Sequence, residues 1–122
     1  MPQVITVPVE DITDWQSFHA IFQRLFGFPD FYGRNMDAWV DCMTSLDAPE
    51  DGLTSIAVSK GELLTMRVDK PFELRERCPE QYDALIECSA SVNFRRVEVG
   101  DLPVLAVMLI GFASRSCPSQ KG

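Results

Sequence analysis

The chain has 122 residues, 18 acidic against 11 basic side chains and a net charge of −7, a length that fits one domain. Its 46% hydrophobic and 24% charged residues are ordinary globular usage and not a disordered composition. The acidic surplus argues against direct binding to nucleic acid or to an anionic membrane, both of which need Lys and Arg in excess, and favours a basic partner.

In chain order, Gln3 to Val9 is short and β-branched and reads as a strand that Pro8 ends or confines to an edge. Thr13-Asp14-Trp15-Gln16 resembles a capping box closed by Thr13 and Gln16. Beyond it Trp15, Phe18, Phe22, Leu25 and Phe26 fall at helical spacing on one face, and Gly27 closes that helix. The aromatic stripe reads as core packing. His19, the only histidine, has no nucleophile pattern beside it and reads as a surface or boundary residue. Phe28 to Arg34 is an aromatic-rich loop in which Pro29 discourages helix and Gly33 permits a tight turn. Asn35 can cap a second helix from about Met36 to about Leu46 whose buried stripe is Met36, Val40 and Met43, with Trp39 beside them.

Ala48 to Gly52 reads as a turn and Leu53 to Ser59 as a strand. Leu63 to Val68 reads as another strand or a turn of helix. Pro71 to about Val92 reads as helix, in two pieces broken at Pro79, with Tyr82, Leu85, Ile86 and Ser89 facing inward and Glu80, Asp83 and Glu87 outward. Leu102 to Phe112 is a continuous apolar run, as expected of a central strand covered on both sides. The order implies a small α/β domain with a largely parallel sheet over residues 1–113, followed by a flexible tail over 114–122.

Residues 1–61 hold nine acids against three bases, and residues 62–122 nine against eight. The first half therefore carries the acidic excess, and the functional surface is sought there. Cys42, Cys78, Cys88 and Cys117 form no metal-ligand spacing with one another or with the histidine. The start of the chain lacks a basic stretch followed by an apolar one, and the longest apolar run is too short to span a bilayer. A cytoplasmic location with reduced thiols is the expectation, and buried free thiols the expectation for most of the cysteines. No catalytic residue, metal or cofactor is expected.

The most informative local feature is Asp37 with Asp41. At i and i+4 on a helix the two carboxylates share a face about 6 Å apart. Their repulsion is roughly 0.7 kcal/mol in bulk water and about 3 kcal/mol at an effective dielectric near 20. The helix dipole offsets this for Asp37 in the first turn and hardly for Asp41. A helix selected for stability alone would carry Lys or Arg at position 41. Phe31 and Tyr32 just ahead supply aromatic anchors of the kind found at protein-binding hot spots.

Phe31-Tyr32-Gly33-Arg34-Asn35-Met36-Asp37-Ala38-Trp39-Val40-Asp41-Cys42-Met43-Thr44 resembles the central motif of the barstar family, small acidic inhibitors of secreted bacterial ribonucleases. The family pattern runs approximately aromatic-Tyr-Gly-x-Asn-hydrophobic-Asp-Ala-x-x-Asp-Cys-hydrophobic-Thr, and the clear match covers about residues 27–46. The resemblance implies a small, mainly parallel sheet of three or four strands packed against about four helices. It further implies that residues 31–44 enter the active site of a basic secreted ribonuclease or related nuclease toxin and occupy its phosphate positions.

Carried over, Asp41 is the main anion facing the enzyme's cations, Asp37 meets further donors, and Phe31 stacks on a catalytic histidine, with Tyr32 beside it. Gly33 and Asn35 contact the partner through backbone and amide. Thr44 is a rim contact, and Cys42 points into the core. Val40 stands where the best-known member has tryptophan, and gives a smaller contact. Arg34 stands where that member has an acid. A further acid comes from the later helix in the family. Glu80, Asp83 and Glu87 are candidates for it, and Glu87 is included among the partner-binding residues while its position stays open among the three. The leading function is thus a cytoplasmic ribonuclease inhibitor or immunity protein. The alternative is a regulatory or interaction protein of the same fold whose partner is not a ribonuclease. An acid–base enzyme built on Asp37 and Asp41 would need a cleft and separated pKa values that one short helix does not supply. A calcium site would need more oxygen ligands than this stretch offers.

Overall fold

The computed structural model describes residues 3–111. Strand β1 (Gln3–Val7) is followed by helices α1 (Trp15–Phe26) and α2 (Met36–Thr44), strand β2 (Leu64–Asp69), helices α3 (Pro71–Arg77) and α4 (Pro79–Glu98), and strand β3 (Leu105–Ile110). Short 3-10 turns occupy Val9–Asp11 and Pro49–Asp51. The strands form one parallel sheet in the order β1-β2-β3, with Gln3 opposite Leu64 and Leu64 opposite Leu105. This is the α/β architecture that the sequence implies. The tail over 114–122, with Cys117, lies outside the described residues.

The sheet is covered on one face. In β2, Leu64, Met66 and Val68 are fully buried, while Thr65, Arg67 and Asp69 alternate with them and are half-buried. Val7, from β1, and Leu105, from β3, join the covered face. On the opposite face Arg67 Nε donates to Asp69 at 2.9 Å. The central strand is therefore the amphipathic one. The apolar run from Leu102, expected to be central and covered on both sides, is an edge strand whose Leu109 and Ile110 are exposed. Two helical crossovers that return over the same face lay the strands down in chain order, which leaves the first and last at the edges.

Helix α1 begins one residue later than the Thr13–Gln16 box suggests. Asp14 Oδ1 accepts from Ser17 N at 2.8 Å, and Ser17 Oγ accepts from the amides of Asp14 and Thr13. These bonds hold the Asp14 carboxyl below its usual range, the backbone bond from Ser17 contributing most. The helix ends at Gly27 with φ +67°, where a β-carbon would lie 1.8 Å from Ser55 Oγ. Phe18, Phe22 and Phe26 fill the core, and Phe22 meets Trp39 of α2 edge-on at 5.6 Å between ring centres. The stripe is core, as read from its period.

Leu53–Ser59 is not a strand. Its amides serve other carbonyls: Ser55 N donates to Phe26 O at 2.9 Å and Val58 N to Leu46 O at 3.0 Å. Gln3 Nε2 donates to Ala57 O. The β-branched residues of this stretch are used for packing, with Thr54 and Val58 buried. The long helical region does break at Pro79, which starts α4, and α4 runs on to Glu98. Its buried stripe is Gln81, Leu85, Ser89, Val92 and Arg96, so the expected inward residues Tyr82 and Ile86 are only half-buried.

Candidate partner-binding surface

The loop ahead of α2 is fixed from below by an aromatic cluster. Tyr32 is buried, its hydroxyl 2.6 Å from His19 Nδ1. Its ring packs on Phe28 at 4.8 Å, and Trp15 stacks on His19 at 5.7 Å. His19 is thus a core histidine and not a surface one. Burial, then the charge of Arg34, holds its pKa below the ordinary histidine value. Burial likewise pushes the Tyr32 hydroxyl well up. Gln23 Nε2 donates to Pro29 O at 3.1 Å, and Gln23 Oε1 accepts from Arg34 Nη2 at 3.1 Å. Arg34 itself takes a left-handed conformation, φ +55°.

On this base Phe31 stands 78% exposed, and Gly33 and Asn35 are exposed beside it. Asn35 is the N-cap of α2: Oδ1 accepts from Ala38 N at 2.8 Å, and Nδ2 donates to Gly33 O at 3.3 Å. Both Asp37 and Asp41 are exposed. Val40, expected at the interface, is buried, because on this nine-residue helix it lies on the side shared with Trp39 and Met43. Tyr32 and Val40 therefore support the surface from beneath and offer a partner almost no area. Thr44 is half-buried, its hydroxyl donating to Val40 O at 2.6 Å. Cys42 is buried, and burial with the neighbouring Asp41 charge pushes its thiol up to about 11.

Helix α4 lies alongside α2 and completes the edge. Cys88 is half-buried there, and its thiol is raised by burial and then by the charges of Glu87 and Asp37. Asp37 and Glu87 are both exposed, the first on α2 and the second on the neighbouring α4. Glu80 instead accepts a bond from Trp15 Nε1 at 3.3 Å. A cation from α4 reaches the same surface: Arg95 Nη1 lies 2.7 Å from Asp41 Oδ1, with the two side chains 51% and 62% exposed.

Just beyond the end of α2, Asp47 forms a second, buried ion pair that sequence reading also missed. Arg96 Nη1 and Nη2 donate to Asp47 Oδ1 and Oδ2 at 3.0 and 2.7 Å. The same guanidinium donates to Thr44 O at 2.8 Å and to Leu102 O at 2.6 Å. Arg96 holds the Asp47 carboxyl below its ordinary range. The end of α2 is thereby tied to α4 and to the loop leading into β3. The only advance signal for either contact is the Arg95-Arg96 pair in the last turns of a helix that must pack beside an acidic one.

Among the described residues no group of three or more His, Cys, Asp and Glu could hold a metal ion. No helix among them is long and apolar enough to cross a membrane. The family model for barstar, described as the barnase inhibitor, matches residues 2–100. The chain belongs to the barstar family. No curated protein matches it. The match extends the resemblance from the motif at 27–46 to the span from β1 through α4. Barstar-family membership makes an inhibitor of a nuclease the general class of this fold, and the parallel three-stranded sheet with its four α-helices is consistent with it.

Proposed function

We propose that the protein inhibits a basic ribonuclease or related nuclease toxin, in the manner of an immunity protein, by inserting the loop and helix 31–44 into the enzyme's active site. A site that handles polynucleotides is cationic because it must hold phosphates. Carboxylates on a rigid helix can take the phosphate positions, and clustered charge speeds encounter (the barnase–barstar pair is itself the standard example of this steering). The reading is supported above all by one observation. The exposed ring of Phe31 and the exposed carboxylates of Asp37 and Asp41 lie along one edge, held by the Asn35 cap and the buried Tyr32–His19 pair. Gly33, Asn35 and Thr44 are assigned to the same surface, with Glu87 of α4 as the later-helix contact. The residues act by binding, and no catalytic role is assigned to them.

The test is inhibition of barnase by the purified protein, followed as RNA cleavage. Inhibition is expected, and Asp41→Ala is expected to weaken it by at least tenfold, about 1.4 kcal/mol or more. Association should slow as salt rises. If neither barnase nor a basic nuclease from the source organism binds, the protein is instead an interaction module with another partner. Arg34 and Arg95, which reduce the negative charge of the edge, favour that second reading.

A further inference from the structure

Arg95 closes on Asp41, the carboxylate that the proposed function makes the principal anion. It comes from a different helix, so the contact is not a by-product of helical spacing within α2. Its neighbour Arg96 is consumed by four hydrogen bonds in the buried clamp, whereas Arg95 makes one contact, at the surface. The pair is open to solvent on both sides, so it contributes little to folding. What it changes is the field at the edge. Asp37 and Asp41 supply two negative charges one helical turn apart, and Arg95 offsets the second of them where a cationic visitor would dock.

We infer that Arg95 is a specificity-determining residue: an internal counter-ion that occupies Asp41 in the free protein and must be displaced by any cation that uses it. The inference rests on reading this edge as the face shown to a cationic partner. A generic basic surface gains too little from Asp41 to displace the guanidinium with advantage. A cleft that presents its own cation close to Asp41 does gain. The device weakens adventitious binding to basic proteins while leaving the acidic edge available to a shaped cleft. Arg34 does not play this part, because its guanidinium is turned to Gln23.

The probe is a hexa-arginine peptide, titrated calorimetrically at low ionic strength into the wild-type protein, Arg95→Gln, and Arg75→Gln. Arg75→Gln makes the same change in net charge on α3, at an exposed position. Arg95→Gln should bind the peptide about threefold more tightly than Arg75→Gln, the size of one unit charge acting across about 6 Å of water. That excess should fall as salt rises and shrink in an Asp41→Asn background. Equal affinity for the two glutamine variants, or an excess undiminished by Asp41→Asn, overturns the inference. The peptide measurement involves no ribonuclease. A protein that inhibits neither barnase nor a basic nuclease from the source organism but shows the Asp41-dependent excess therefore loses the proposed function and keeps this one. One that inhibits barnase without the excess does the reverse.

Discussion

Two aspartate–arginine pairs join the region of α2 to α4, each with a contact of 2.7 Å, made by adjacent arginines. Asp41–Arg95 lies in water. Asp47–Arg96 is shut away, with side chains only 5% and 7% exposed. Equal distances thus carry unequal consequences. An exposed pair exchanges one set of favourable contacts for another with water and ends near zero. In the buried pair each group has lost its water, so every donor and acceptor must be matched within the protein, and removing one partner strands the other. On the proposed reading the first kind stands where a partner is met, while the second ties the end of α2 to α4.

The difference can be tested from its large end downward. Asp47→Ala leaves the Arg96 guanidinium buried without its carboxylate and should destabilise the fold by about 3–5 kcal/mol in urea titration. A loss under about 1 kcal/mol would mean that the clamp is not what holds α2. Asn35→Ala removes the cap on which the exposed edge is built. It should cost about 1 kcal/mol, read as a shift in the denaturation midpoint with unchanged slope.

His19 extends the contrast to pH. Its folded pKa is lower than that of an unfolded histidine, so the unfolded chain binds the proton first as pH falls. Its stabilising contribution is whole above about pH 6.5 and is lost as pH falls through the folded value. The denaturation midpoint should therefore be lower at about pH 5 than at about pH 7.5, with a smaller drop in His19→Gln. Equal drops in the two proteins would show that Tyr32 does not depend on an uncharged ring. The smallest change is expected for Arg95→Gln, within about 1 kcal/mol of wild type in the same urea titration. A larger loss would place the outer pair in the same class as the inner one.

Local order was readable from residues because it is written in short periods. The spacing of Phe18, Phe22 and Phe26 gave α1, Gly27 its end, Asn35 the start of α2, and Asp37 with Asp41 an outward edge. What was missed depends on residues far apart in the chain. Leu53–Ser59 has a strand's composition, yet its amides are claimed by Phe26 and Leu46. Leu102–Phe112 has the look of a central strand, but sheet position follows from the path of the crossovers. Tyr32 reads as a contact residue until His19 is found beneath it. The counter-ion of Asp41 stands 54 residues further on, beyond the reach of any helical repeat.

The parallel register has a kinetic side. Gln3 must find Leu64, and Leu64 must find Leu105, before either ladder exists. No hairpin can seed such a sheet, since no two neighbouring strands are joined by a tight turn. The first lasting order during refolding should therefore arise among the helices, with the strands zipping late and slowly. The sheet would then be complete only after the most remote parts of the chain have met.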